Sequence, residues 1–270
     1  MCFQRVWVWM RIDTLKAGKH FPLKLIPNRS ETNIHLLYFC QMDISIIVPV
    51  YNEAVHIGNL VASLLRHPSG YMVEVLVADG GSTDETAQNA RQAGALVVEC
   101  PEKGRSAQMN YGASKSSGKL LYFVHADTKP PVSYAADIMN ATQEGFELGR
   151  YQTKFDSKSI LLKLNAWFTR FDLFICYGGD QTLFITRSLF DKLEGFRPDM
   201  LIMEEYELVS RARNHAKYKI MRGKVFISAR KYEKNSWFEV QQANYTMVKM
   251  YKKHLPQATL KAYYKNRLKY

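Results

Sequence analysis

An α/β fold, with a mixed and mostly parallel sheet flanked by helices, is predicted by three observations. Two apolar runs, residues 44–50 and 73–78, each pass through a short polar turn into a stretch of helical periodicity. Strand, turn and helix in immediate succession, twice over, is the pattern of βαβ units, because parallel strands need a crossover between them. Both turns, Tyr51-Asn52-Glu53 and Asp79-Gly80-Gly81-Ser82-Thr83-Asp84, are polar and fall at strand ends. The carboxyl ends of parallel strands are where such sheets bind nucleotides.

The elements follow in order. The first strand, whose hydrogen bonding is expected to end at Pro49, leads to a helix marked by Ile57, Leu60, Val61 and Leu65. After the second, Gly80 and Gly81 permit positive φ, and Ser82 with Glu85 reads as a capping box ahead of Ala87, Ala90 and Ala93. Small residues at 107–113 predict a helix packed closely on the sheet, with Gly104-Arg105 at its amide end facing an anion, for which diphosphate is the obvious choice. Residues 120–124 read as a buried strand ending at His125-Ala126-Asp127, and strand alternation puts His125 and Asp127 on one face. Leu161, Leu164, Phe168, Phe171 and Ile175 recur at steps of three and four, flanked by Trp167 and Phe174, as an amphipathic helix that reads as core rather than as a lipid groove. Gly178-Gly179-Asp180 reads as a loop, with 181–185 returning as a strand. Glu204 and Glu205 open a helix through Leu208, Val209 and Ala212, where carboxylates also suit the helix dipole. A further helix runs through Val240, Ala243, Met247, Met250 and Tyr251 before Pro256, and with the helix at 161–175 forms a small acceptor-side cap.

The chain has 270 residues, enough for one large domain, and 47% hydrophobic with 13% aromatic residues excludes disorder as the default. Cys2, Cys40, Cys100 and Cys176 have neither zinc-ligand nor disulfide-framework spacing, which fits a reducing cytoplasm. Residues 1–10 lack a secretory pattern, and 160–175 is broken by Lys163, Asn165, Arg170 and Asp172, so no membrane span is expected. Residues 1–41 are basic and aperiodic and precede every motif. They are read as an extension outside the domain, with Met42 as the natural start. The domain proper is expected over 42–235, followed at 236–270 by a helical basic tail. The net charge of +12 is concentrated at the ends of the chain. It suits a solvated tail, anionic lipid on the cytoplasmic face of a membrane, or a phosphorylated substrate, and calls for no nucleic-acid partner.

Val-Pro-Val-Tyr-Asn-Glu at 48–53, followed by Asp-Gly-Gly-Ser-Thr-Asp-Glu-Thr at 79–86, resembles the nucleotide half of the family-two inverting glycosyltransferases of GT-A fold. The resemblance continues through 104–112, His125-Ala126-Asp127-Thr128, Gly179-Asp180-Gln181 and Met203-Glu204-Glu205-Tyr206-Glu207-Leu208, and covers roughly residues 43–235. It implies a nucleotide diphosphate sugar as donor, UDP-linked by expectation, and Mg2+ or Mn2+ as the ion.

Around the donor, Pro49, Tyr51 and Glu53 are assigned to the nucleotide, Tyr51 having core packing as its other reading. Asp79 is implied to accept from a uracil-like imide N–H. Arg105 faces the diphosphate. Arg230, in an Arg230-Lys231-Tyr232 that resembles the family's Arg-Arg-Trp, closes over it. Asp127 is implied as the metal ligand. His125 replaces the first Asp of the usual Asp-X-Asp, with three roles open: metal binding, a hydrogen bond to diphosphate, or packing. The Glu204-Glu205 pair matches the family's Glu-Asp, which makes Glu205 the general base, with Glu204 beside it. The acceptor is left open among a lipid, a lipid phosphate and a small molecule. Two other classes also fit such a sheet: a nucleotidyltransferase, and a nucleotide-sugar-binding protein without turnover.

Overall fold

The computed structural model describes residues 42–177 and 182–269. One compact unit extends from Gln41 to Tyr270. In chain order its elements are β1 (Ile44–Val50), α1 (Ala54–Leu65), β2 (Val73–Asp79), α2 (Thr86–Gln92), β3 (Leu96–Glu99), α3 (Arg105–Ser114), β4 (Leu120–Phe123), β5 (Thr128–Lys129) and α4 (Tyr134–Gln143). They continue with β6 (Leu148–Phe155), α5 (Ile160–Phe168), a 3₁₀ turn at Phe174–Cys176, β7 (Leu183–Thr186), α6 (Arg187–Lys192), α7 (Glu204–Ala212), β8 (Tyr218–Ile227), α8 (Arg230–Lys234), α9 (Trp237–Lys252) and α10 (Gln257–Arg267). The strands form one sheet in the order β3-β2-β1-β4-β7-β6-β8-β5. The β3-β2-β1-β4 half is parallel throughout, and antiparallel pairing enters with β7 and β5. This is the mixed, helix-flanked sheet expected.

Every residue of β1 is buried, as a parallel strand covered on both faces must be. Its alternate residues divide between two cores. Ile44, Ile46, Val48 and Val50 pack with Ile57, Leu60, Val61 and Leu64 of α1, whereas Ile47 faces Met109 and Ala113 of α3. A Cβ added to Gly112 would lie 2.6 Å from Ile47 Cγ2, closer than such atoms approach, so the small-residue character of α3 is a packing requirement. Gly112→Ala is expected to destabilise the fold by about 1–3 kcal/mol through overpacking. Urea unfolding measures this, and an unchanged midpoint and slope would refute close α3–β1 packing.

Four expectations are corrected. The Ser82–Glu85 capping box does not form: α2 starts at Thr86, and Ser82 Oγ instead donates to Asp79 Oδ1 at 2.6 Å. Pro49 does not end the pairing of β1, which continues beside β2 to Val50↔Asp79; Pro49 lies past the last β1–β4 partner pair, Ile47↔Phe123. The helix expected across 161–175 stops at Phe168, and its apolar stripe is exposed rather than core. The C-terminal segment is no solvated tail, since α9 and α10 fold together and bury Met247 and Leu260 against Met200 and Met203. The strand expected from Gln181 is β7, whose described part begins at Leu183, and the calls on residues 1–41 and on Gly178-Gly179-Asp180-Gln181 lie outside the described residues. Among the described residues no helix is long and apolar enough to cross a membrane.

Candidate active site

The loops leaving β1 and β2 are stapled to each other. Asn52 N donates to Ser82 Oγ at 2.9 Å, Thr83 N to Asn52 Oδ1 at 2.8 Å, and Glu53 N to Thr86 Oγ1 at 2.8 Å. Asp84 accepts from Ala54 N and Thr86 N, and the hydrogen bond from Thr86 Oγ1 holds its carboxyl below the usual range. Most polar side chains of the second turn therefore build the loop. Gly81 adopts φ 88°, and a Cβ on Gly80 would meet Gln108 Nε2 at 2.9 Å. Gln108, given no role by sequence reasoning, donates to Val50 O at 2.7 Å and Ala78 O at 2.8 Å, satisfying two buried carbonyls where the strands part.

That staple positions three of the predicted donor residues. Tyr51 is 55% exposed at the rim, which removes its core-packing reading. Glu53 precedes α1 without capping it through its side chain. Asp79 is buried at the end of β2 and accepts through Oδ1 from both the amide and the hydroxyl of Ser82. Nearby, burial, with the Asp79 charge adding to it, pushes the Cys100 thiol up to about 11, so it is not a ready nucleophile.

On the other side of β1, β4 ends at Phe123 and Thr128 N closes a turn onto His125 O at 3.0 Å. Strand alternation thus no longer applies at 125–127, and the expectation of one shared face fails: His125 is buried and Asp127 exposed. His125 Nε2 lies 2.7 Å from Glu205 Oε1. Burial opposes the charge on His125 most strongly, but the hydrogen bond to Glu205 together with the charges of Glu205 and Asp127 leaves its pKa raised. Burial likewise opposes charge on Glu205, yet the His125 hydrogen bond and the nearby cations leave its carboxyl lowered. Both shifts favour a proton on His125 and a charge on Glu205.

Glu204 and Glu205 both lie buried in the first turn of α7, entered through Met203 in the left-handed region at φ 65°. A non-glycine residue there stores strain that surrounding contacts must hold. α3 supplies them: Ser106 Oγ donates to Met200 O at 2.9 Å, and Asn110 exchanges hydrogen bonds with Phe196 at 2.7 and 2.9 Å. Arg105, at the start of α3, reaches Glu204 Oε1 with Nη1 at 3.3 Å. Burial first, then the neighbouring Glu205 charge, raises the Glu204 pKa in spite of Arg105. Two adjacent carboxyls are thereby driven apart, one low and one high.

A small cavity with room for little more than one water, about 10 Å³, is lined by His125, Glu205, Arg150, Tyr177 and Tyr218. Arg150 is buried on β6 and donates to Thr169 O at 2.7 Å and Phe171 O at 3.0 Å. Nothing in the mixed sequence of β6, which also carries Gln152, Thr153 and Lys154, singles it out. A separate open cleft of about 230 Å³ is lined by Asp127, Arg230, His56, Asn59 and Ser228, with Arg230 Nη1 3.1 Å from His56 Nε2. The structure thus joins His125 to Glu205, Arg105 to Glu204, and Asp127 to the cleft of Arg230. Asp79, Tyr51 and Glu53 stand at the neighbouring strand ends.

No cluster of three or more His, Cys, Asp or Glu suited to a metal occurs among the described residues. Among the described residues a site supplied wholly by protein is not built. One exposed carboxylate in an open cleft does fit a hard divalent ion that takes its remaining ligands from phosphate and water, as magnesium commonly does.

Residues 45–188 match the family model "Glycosyl transferase family 2". Among curated proteins, the chain is 40% identical over 96 residues to "Glycosyltransferase AglE" of Haloferax volcanii, covering 32% of this chain and 31% of that one. It is 33% identical over 105 residues to a "4,4'-diaponeurosporenoate glycosyltransferase" of Staphylococcus aureus, covering 37% and 28%. The matched segment thus spans about a third of the length of these relatives. Among solved structures, S. aureus TarS with UDP-GlcNAc superposes at TM-score 0.57 with 19% identity, over 69% of this chain and 58% of that one. The mannosyltransferase PcManGT of Pyrobaculum calidifontis, with GDP-Man and Mn2+, gives 0.59 and 17%, over 84% and 64%. These likenesses carry the GT-A fold. With more than half its length matched by the family model, the chain belongs to glycosyl transferase family 2.

Proposed function

We propose that the protein transfers a sugar from a nucleotide diphosphate sugar, UDP-linked, to a hydroxyl acceptor with inversion and with a divalent ion. The observation that supports it most is the paired arrangement at the carboxyl end of the parallel strands: His125 on Glu205 and Arg105 on Glu204. In this reading Asp79, Tyr51, Pro49 and Glu53 receive the nucleotide. Asp127 holds the ion, whose chemistry when bound is to neutralise charge on the diphosphate. Arg105 and Arg230 supply further positive charge to the leaving group.

The acceptor oxygen attacks the anomeric carbon from the face opposite the diphosphate and gives its proton to Glu205. The bond from that carbon to the diphosphate oxygen breaks, and its electron pair leaves with the nucleoside diphosphate. The hydrogen bond from His125 favours the ionised form of Glu205 and fixes its rotamer, the form a general base needs. One displacement suffices, and the raised Cys100 thiol offers no rival nucleophile. A lipid-type acceptor is in keeping with the diaponeurosporenoate relative, and a lipid phosphate or small molecule with the same site chemistry.

A donor screen with metal present tests this reading, scored by release of nucleoside diphosphate and by product mass. Release of pyrophosphate from a nucleoside triphosphate, or donor binding without turnover, would overturn it. We further place the start of the transferase domain at Met42, with α9 and α10 packed onto it rather than forming a separate tail after 235. Removal of residues 1–41 is expected to leave the melting transition cooperative and UDP binding intact, since every site residue lies downstream. A broad transition or lost binding in the shortened chain would refute that boundary.

A further inference from the structure

Exposed large hydrophobic side chains are scattered singly over most of this molecule, as on any soluble domain. One segment departs from that. Ile160, Leu161, Leu164, Trp167, Phe168 and Phe171 are each 38–80% exposed, and Leu173 and Ile175 follow at 47% and 51%. Of α5 itself, Leu162 is the residue that is buried. Steps of four and three put Ile160, Leu164 and Trp167 on one side of α5, and just beyond its end the ring of Phe171 meets those of Trp167 and Phe168, the three ring centroids lying 4.9–6.3 Å apart. A contiguous apolar surface of this kind marks an interaction site rather than packing left unfinished.

The border of the patch is cationic. Lys158 and Lys163 lie within or beside α5, and the Arg170 guanidinium sits 4.9 Å from the Trp167 ring centre. From the C-terminal helices, Lys252 Nζ sits 5.2 Å over the ring of Phe174, which itself stacks on Tyr251. Lys249 and Lys253 stand beside Lys252, and residues 240–269 contain no acid. The nearby Asp172 is paired with Arg213. Tryptophan and aliphatic side chains ringed by lysine and arginine are the composition of helices that lie in the headgroup region of a bilayer.

We propose that residues 160–175 form a docking surface for an anionic lipid bilayer, with the apolar side chains entering the acyl boundary and the lysine and arginine rim meeting lipid phosphates. A second protein is the poorer fit, because a rim dominated by lysine and arginine, with Asp172 neutralised by Arg213, matches a continuous negative surface. The segment is also tied to the active-site elements. Arg150 of the inner cavity holds Thr169 O and Phe171 O, and Tyr206 Oη, on α7, donates to Ile175 O at 3.2 Å. Docking would therefore set the α7 carboxylates beside the membrane surface.

Co-sedimentation of the full chain with phosphatidylcholine vesicles, with and without phosphatidylglycerol, tests the proposal. The protein is expected to pellet with the anionic vesicles and to be released by salt, and Leu164→Gln with Trp167→Gln is expected to weaken partition by about tenfold or more. Lys163→Glu with Arg170→Glu should lose the preference for anionic lipid. A Trp167→Phe chain should still bind but lose most of the blue shift in tryptophan emission on binding. Far-UV circular dichroism and the melting temperature confirm that each variant is folded. Equal pelleting of the wild type and the Leu164/Trp167 variant would overturn the proposal by moving the contact to the basic helices α9 and α10. So would equal binding to neutral vesicles, self-association abolished by the same variant without vesicle binding, or vesicle binding seen only once residues 1–41 are removed.

Discussion

Glu205→Gln is expected to keep donor binding while slowing transfer by about 10²–10⁴-fold, the usual range for a lost general base. The amide preserves shape and can still accept from the His125 ring at the position where Oε1 now lies 2.7 Å from Nε2, but it cannot take a proton from the acceptor. Breaking a buried charge pair costs about 3–5 kcal/mol when a partner is removed outright, so the melting temperature and calorimetric UDP binding must accompany the rate. Glu204→Gln should cost less, because its contact is to Arg105 and its pKa is already raised by burial. Rates of nucleoside diphosphate release distinguish the two. Near-normal turnover in Glu205→Gln together with its loss in Glu204→Gln would shift the base by one residue.

Asp127→Ala is expected to abolish the metal-dependent part of UDP binding, because an exposed carboxylate in the cleft of Arg230 is the hard ligand available there. His125→Ala should leave most of that part in place, since Nε2 is engaged with Glu205, and should instead lower turnover. Calorimetric titration of UDP with and without magnesium separates these effects. Equal loss of the metal-dependent component in both variants would make His125 a ligand of the ion.

The parts of the molecule that were legible from residues alone are those governed by near neighbours. The runs at 44–50 and 73–78 are strands, the second extended by Asp79, α7 begins at Glu204, and α9 covers the periodic stretch around Val240–Tyr251, each set by apolar period and flanking turns. Where a local rule failed, a long-range partner had taken the group it needed. Ser-X-X-Glu forms a true capping box at Ser236–Glu239, but the same spacing at Ser82–Glu85 does not, because Asp79 and Asn52 claim the Ser82 hydroxyl. The stripe at 161–175 has helical spacing throughout, yet the helix ends at Phe168, and just beyond it Arg150 of β6 captures the Thr169 and Phe171 carbonyls.

The same division holds at the site. Residue types and motif order pointed to Asp79, Arg105, Asp127, Glu204 and Glu205, because a strand-end acid or a helix-start carboxylate carries its meaning in a few adjacent residues. Which of them touch was decided by the folded chain. His125 and Glu205 are 80 residues apart in sequence, and Arg105 and Glu204 are 99 apart. Neither pairing leaves a trace in local periodicity. Each depends on α3 clamping the approach to α7 and on β4 ending two residues before His125, and it is burial of those pairs that separates the two glutamates into one low and one high carboxyl.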